Sequence, residues 1–407
     1  MRTIQYVRAG CLVSTFAACL LMAGSARADQ SSERPGSLLI FPKVVQAGGR
    51  ETTIQITNTG NSVDNLHCFY INGADGSNGQ PLCAVTDFFV TLTKQQPTHW
   101  DVSTGRPVNP NDSIEGLDPG IVPPVGPGFT GALVCVEVDA DNAPVAMNKI
   151  KGEATLEGPS ADISKYNGVA FQGATSGGTS DNILQLNPNG VEYDACRTAS
   201  IFNFVPDSAT DPVIEALGDG GTCGTGSTTP GSPCNNSSQC GGTGTCTTGQ
   251  SRVVSAITVL PCNLDLQTQA PTKFKLGYEI YDQNESPFST SSGALSCWAS
   301  INLSDIGRQV TSASNGGALF GPYATMRITG TTGGPVIVVG ESFHADAGSN
   351  IAAAAVNTQT TGLCQATGAQ APDITLTCQS VADCPNTTGY TCVTSQPSQI
   401  KLPTLLE

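Results

Sequence analysis

The chain has 407 residues, with 18 basic and 33 acidic side chains, 16 cysteines, 46 glycines and only 13% charged residues. A net charge of −15 excludes the broad basic face that nucleic-acid phosphates require and argues against anionic lipid headgroups. The length has room for about two ordinary domains, and abundant Gly, Ser, Thr and Asn with few helical periods read as a loop-rich β protein.

The first segment, "MRTIQYVRAGCLVSTFAACLLMAGSARADQ", sets Arg2 and Arg8 ahead of an apolar run from Ala9 to Ala23 and closes on Ala26-Arg27-Ala28. That run is shorter than the ~20 residues that cross a bilayer, so residues 1–28 read as a secretory signal with a small-x-small cleavage site. A lipobox at Phe16-Ala17-Ala18-Cys19 has a poor first position and an apolar continuation, Leu20-Leu21-Met22, which argues against lipidation. No later stretch is apolar enough to span, and "KLPTLLE" lacks a sortase signal, so the expectation is an exported chain without a membrane span or covalent anchor. Cleavage removes three arginines and no acid; the remaining acidity is dispersed, which suits the solubility of a secreted protein.

Strand signals follow. "TTIQITNT" alternates with Ile54 and Ile56 inward, and "NLHCFYI" sets Leu66, Cys68 and Tyr70 on one face and His67, Phe69 and Ile71 on the other. "GNS" between them predicts a hairpin. "FFVTL" adds Phe88, Val90 and Leu92, and "GALVCVEVD" leads through "ADNAP" into "VAMNKI" as a second expected hairpin. In the second half "KFKLGYEIY" alternates Phe274, Leu276, Tyr278 and Ile280 against Lys273, Lys275 and Glu279. "CWASINL", "ATMRITG" and "PVIVVGESF" follow, the last two joined across Thr331-Thr332-Gly333-Gly334. "NIAAAAVN", 350–357, fits either helix or strand.

The halves resemble each other. "APVAMNKIKGEA" and "GPVIVVGES" both run Pro-Val after a turn into Gly-Glu-small, at Gly152-Glu153-Ala154 and Gly340-Glu341-Ser342, with aromatic strands upstream at Phe88 to Leu92 and Trp298 to Leu303. Period-two strands at short spacing with Gly/Pro turns point to an all-β fold of two antiparallel β-sandwich domains. The expected organisation is a signal peptide at 1–28, a first sandwich at 36–200, a linker with a cysteine-rich insert at 201–250, a second sandwich at 251–360, and a cysteine-rich segment with a C-terminal strand at 361–407.

Removing Cys11 and Cys19 with the signal leaves fourteen cysteines, an even number in a chain bound for an oxidising compartment. Eight form two quartets, Cys223, Cys234, Cys240, Cys246 and Cys364, Cys378, Cys384, Cys392, sharing a central C-x5-C. Structural zinc brings cysteines two to four residues apart, often with His; neither quartet holds a C-x-x-C or a histidine, so disulfide-stapled loop inserts are expected, paired within each quartet. Closing a ~15-residue loop contributes about 3 kcal/mol in the chain-entropy account. Cys68, Cys83, Cys135, Cys196, Cys262 and Cys297 sit in or beside strands and are expected to make three bridges inside the domains.

The stretch "LLIFPKVVQAGGRETTIQITNTGNS" resembles the opening of bacterial secreted and surface proteins whose immunoglobulin-like modules begin with an apolar strand and continue with a V/I-x-I/V-x-N-T-G strand and turn. The quartets resemble cysteine-rich inserts of exported bacterial proteins, "CQSVADCPNTTGYTC" more closely. The resemblance implies an exported protein of tandem immunoglobulin-like sandwiches and carries over no catalytic residue.

Sites of chemistry are sparse. His67, His99 and His344 are far apart in sequence; His99-Trp100-Asp101 lacks a nucleophile elbow. Glu153 and Glu341 hold equivalent places, and a paired-carboxylate hydrolase needs them facing across ~5–10 Å. Asp139-Ala140-Asp141-Asn142 resembles a calcium loop, but Pro144 and Ile150 occupy the places of its Gly and acid, so a turn is expected. Trp100, Trp298, Tyr166 and Tyr281 are the aromatics available for a sugar platform. No cofactor or metal is implied. The expected function is a non-catalytic secreted or cell-surface structural or adhesive protein, whose partner is an extracellular protein or polysaccharide. The alternatives are a carbohydrate-binding module or accessory to a secreted hydrolase, and a hydrolase built on Glu153, Glu341 or the His99 region.

Overall fold

The computed structural model describes residues 30–403 except 78, 108–118, 159–162, 175–180, 189–190, 207–220, 231–232, 235–236, 249–251, 313–316 and 346–350. The segment expected to be a signal peptide, 1–28, lies outside the described residues. The fold is all-β, built from sheets whose strands pair antiparallel except for Leu264–Asp265 beside Ser398–Lys401.

"LLIF" at the start of strand Leu38–Gln46 is apolar on both faces, so the strand needs cover on both sides. It lies inside a five-stranded sheet, between Phe129–Val138 and Val169–Phe171. The full order of that sheet is Val85–Leu92, Asp64–Asn72, Phe129–Val138, Leu38–Gln46, Val169–Phe171. A four-stranded sheet, Pro97–Asp101, Glu51–Asn58, Ile150–Glu157, Ile163–Asn167, closes over it. Leu39, Phe41, Leu66, Cys68 and Tyr70 from the first sheet meet Ile54, Ile56, Trp100, Ala154 and Leu156 from the second in one buried core.

Counting strands along the chain within this unit, the sheets read 4-3-6-1-9 and 5-2-7-8. The second half repeats that order. Pro287–Ser291, Lys273–Tyr281, Ala324–Thr332, Ala199–Phe204 and Gln359–Ala366 are the corresponding five strands of an eight-stranded sheet, which Leu295–Ser296, Asp373–Cys378 and Tyr390–Val393 extend; Ala299–Asn302, Arg252–Pro261, Val336–Ala345 and Ile351–Asn357 form the other. Phe202, Tyr278, Ile280 and Met326 pack there against Ile257, Val259, Val336 and Val338. The repeat also fixes Gly152 and Gly340 as equivalents, since both occupy the seventh strand opposite an Ile-Phe pair on the first. A Cβ at Gly152 would lie 2.8 Å from Phe41 Cζ, and one at Gly340 2.3 Å from the Phe202 ring. The aromatic strands aligned from sequence do not correspond, because Phe88–Leu92 lies on the fourth strand and Trp298–Leu303 reaches the fifth.

In an immunoglobulin domain the first, second, fourth and fifth strands share a sheet and the third, sixth and seventh share the other. Here the first and fourth join the third and sixth, and the seventh joins the second and fifth. The expected hairpin at "GNS" and the connection at 331–334 are likewise arches between the two sheets, whereas "ADNAP" does turn back on itself, with Val138 bridged antiparallel to Pro144, before the chain crosses to strand Ile150–Glu157. Alternating apolar residues on both flanking strands enter one core in either arrangement, so periodicity alone does not separate them.

A third core lies between the sandwiches. Leu38, Ile40, Phe69, Val134 and Val136 on the outer face of the first five-stranded sheet are covered by Leu184, Leu186, Leu264, Ile400 and Leu402, together with Leu260, Trp298 and Ile337. The cover is a small sheet of Ile183–Leu186, Ser398–Lys401 and Leu264–Asp265. Sheet membership therefore crosses the boundaries drawn from composition at 200 and 360: Ala199–Phe204 is the first strand of the second sandwich and Gln359–Ala366 is its ninth. The segment left open between helix and strand is the strand Ile351–Asn357.

Candidate functional site

Pro42 has no backbone N–H, so it opens the ladder of the first strand, and the register shifts between Phe41 and Val44. The opened backbone is where the halves meet. Lys43 N–H donates to the Tyr166 hydroxyl at 3.0 Å, and that hydroxyl donates back to the Lys43 carbonyl. The Pro42 carbonyl accepts Trp298 Nε1–H at 2.8 Å. Lys43 Nζ pairs with Glu341 Oε2, both side chains buried, and Arg50 lies over the Phe343 ring at 4.5 Å. Burial drives the Tyr166 phenol well above its ordinary value.

Six bridges have both partners among the described residues. Cys68–Cys135 joins neighbouring strands inside the first sandwich, whereas Cys83–Cys297 joins the two halves across 214 positions and Cys196–Cys262 fastens the layer between them. The expectation that all three would stay within domains is thus corrected, because the inter-sandwich core brings Cys83 and Cys297 together. The quartets pair locally, as Cys223–Cys240, Cys364–Cys384 and Cys378–Cys392. Cys246 is disulfide-bonded as well, and the Cys234 side chain lies outside the described residues. Ligand atoms of Cys364, Cys378 and Cys384 lie within 4.8 Å of one another, but each sulfur is already in a cystine, and zinc requires thiolate.

The candidate catalytic residues are not brought together. Glu153 is half-exposed and paired with Lys165 at 2.9 Å, while its equivalent Glu341 is sealed under Lys43. His99 lies exposed on the edge strand Pro97–Asp101. His67 is buried, 2.9 Å from Asp87, and burial lowers its pKa. Asp139 Oδ1 accepts the N–H groups of Asp141 and Ala143, both at 2.9 Å, which makes "DADN" a turn held by its own aspartate. Of the four aromatics, Trp100 is in the core with Nε1–H donating to the Tyr70 hydroxyl at 2.6 Å, Trp298 and Tyr166 serve the junction, and Tyr281 lines a cleft away from it.

Two of the hollows lined by described residues are larger. One, of about 800 Å³, runs along the junction between Gln30 to Glu33, Lys165, Arg197 and Thr358 to Thr360. The other, of about 580 Å³, opens at one end of the second sandwich, with Tyr281, Tyr323, Asn203, Gln283 and His344 in its wall. Its loops are tied by Asp282, whose buried carboxylate accepts the N–H groups of Asn284 at 2.9 Å, Ser286 at 3.0 Å and Phe320 at 3.2 Å. These bonds hold its pKa below the ordinary value against the opposing effect of burial. Of this wall, sequence reading names Tyr281 and His344 but does not bring them together. The further signal is Tyr323 in "FGPY", an aromatic after a Gly-Pro turn, where no strand period can bury it.

No protein-family model matches the chain, and no curated protein matches it. Among solved structures, it is similar to Thermotoga maritima 1070, at 10% identity over 33% of this chain and 93% of that one, TM-score 0.21. It is similar also to a Pleurotus ostreatus lectin solved with GalNAc, at 11% identity over 90% and 94% of the two chains, TM-score 0.18. Red sea bream transglutaminase matches at 8% identity over 87% of this chain and 34% of that one, TM-score 0.13. These likenesses are too slight to carry an argument about fold or function.

Proposed function

We propose that the protein is a non-catalytic structural or adhesive protein, exported to the cell surface or medium, that works as a rigid two-sandwich body. The observation that carries this reading is the junction. Its cross-half disulfide, its buried ion pair and its shared apolar core all oppose hinge motion between the halves, and the ion pair engages Glu341, one of the two candidate glutamates. Multiple cystines favour an oxidising compartment, which agrees with the signal-like segment at 1–28.

Fractionation of the native cells tests the reading, coupled to assay of purified protein on a broad panel of glycosidic, ester and peptide substrates. The expected result is oxidised protein outside the cytoplasmic membrane, adherent to cells or matrix, with no turnover. Reduced protein in the cytosol, or hydrolysis abolished by Glu153→Gln, would overturn it. A second reading, binding of extracellular polysaccharide, is favoured by the Tyr281–Tyr323 cleft.

A further inference from the structure

We infer that the cleft at the end of the second sandwich binds a neutral saccharide chain; the inference rests on the polysaccharide reading above and gives it a place and a ligand class. The chemistry of the wall is mixed in the way a sugar ring requires. Phe204, Val205, Tyr281 and Tyr323 supply apolar surface, while Asn203, Gln283, Thr325 and Ser342 supply amide and hydroxyl groups. A pyranose presents the same division, C–H faces that lie on aromatic rings and a hydroxyl rim that hydrogen-bonds. A hollow of about 580 Å³ is within the usual range for small-ligand sites.

Charge narrows the class further. Among the described residues no Lys or Arg lines the cleft, His344 is the one side chain in its wall that can carry a positive charge, and the one carboxylate, Asp282, is committed to three backbone N–H groups. A charged ligand would give up water with no salt partner there besides the His344 imidazole, which is costly. A neutral, hydroxyl-rich ligand meets no such cost.

The wall is also preorganised. Asp282 fixes the loop after strand Lys273–Tyr281 to the loop that carries Phe320 and Tyr323. Gly321, at φ +84°, lets that second loop close on Gln283, where a Cβ would lie 2.1 Å from the side-chain oxygen. The result holds Tyr323 of the wall in the open, 52% exposed, although most large aromatics among the described residues are buried. Rigid loops presenting aromatic side chains lower the entropic cost of binding.

The test is affinity electrophoresis of the intact oxidised protein through gels containing galactomannan, xyloglucan or mixed-linkage β-glucan as neutral probes and polygalacturonate as the anionic one. The expected result is retardation by at least one neutral polymer, weakened about tenfold by Tyr323→Ala and retained by Tyr323→Trp. Because Tyr323 is exposed, these variants should melt with the parent. Failure to bind any neutral polymer, stronger retardation by polygalacturonate, or retardation unchanged in both Tyr323→Ala and Gln283→Ala would overturn the assignment. In that last case polysaccharide binding stands and lies elsewhere; if no polymer is bound but the protein still coats cells, the adhesive reading stands without a glycan.

Discussion

Lys43 and Glu341, 298 positions apart, form an ion pair in which the two side chains are 9% and 1% exposed. The pair sits where Pro42 interrupts an apolar strand of the first sandwich and the seventh strand of the second crosses it. The other carboxylate oxygen of Glu341 has no hydrogen-bond partner among the described residues, so its charge depends on Lys43. Removing one member of a buried pair typically costs 3–5 kcal/mol, because the other charge stays buried, whereas replacing both with apolar groups is close to neutral. Lys43→Met is therefore expected to destabilise by roughly that amount and Lys43→Met/Glu341→Leu by far less, as measured by urea unfolding. Equal losses in the single and double variants would contradict a buried, mutually dependent pair.

Tyr166 both accepts from and donates to Lys43, so Tyr166→Phe leaves a buried N–H and a buried carbonyl unmatched. The expected loss is about 1–3 kcal/mol, seen as a lower urea midpoint with unchanged slope. No loss would mean that the bulge finds other partners.

The repeated glycines separate backbone from side-chain crowding. Gly340→Ala meets only the Phe202 ring among its three nearest atoms; it is expected to cost about 1–3 kcal/mol and to recover when Phe202→Leu is added. Gly152→Ala instead meets the Gln55 carbonyl oxygen at 2.4 Å, and Phe41→Leu should not rescue it. Thermal melts of the four variants decide the matter, and equal rescue in both halves would contradict the geometry.

Asp64 is buried beside Glu137 and Lys149, and its pKa is raised from the ordinary 3.8 to about 8, first by burial and then by the Glu137 carboxylate, with Lys149 opposing. Between those values the unfolded chain releases a proton that the folded one keeps, so stability from this site falls as pH rises from about 4 to about 8. Glu137 itself accepts the N–H groups of Met147, Asn148 and Lys149 at 2.7 to 2.9 Å, so the strain of deprotonation bears on the loop before strand Ile150–Glu157. Asp64→Asn should flatten the decline in unfolding free energy across that window. A parent profile with no decline, or one that Asp64→Asn leaves unchanged, would contradict this assignment.

Alternation made Ile54, Ile56, Phe274, Leu276, Tyr278 and Ile280 legible as inward residues, and the shared Gly-Glu-small strand located equivalent seventh strands. Local spacing likewise indicated pairing within the quartets. Sheet assignment was not legible, since an arch and a hairpin carry the same apolar period. Nor was the junction. Cys83 and Cys297, or Lys43 and Glu341, meet only through a core between the sandwiches, and no local pattern encodes a contact hundreds of residues away. The lone hint was Pro42-Lys43 inside an apolar strand. Trp100 and Trp298 illustrate the converse: residue type suggested a sugar platform, whereas each ring is buried with its N–H satisfied inside the protein.

The account depends most on the two halves being one covalently fastened body. Peptide mapping of the unreduced, alkylated protein tests that most directly. A Cys83 peptide linked to a Cys297 peptide is predicted, beside the Cys68–Cys135 and Cys196–Cys262 pairs. Alkylated Cys83 or Cys297, or Cys83 bridged to a cysteine of its own half, would contradict it.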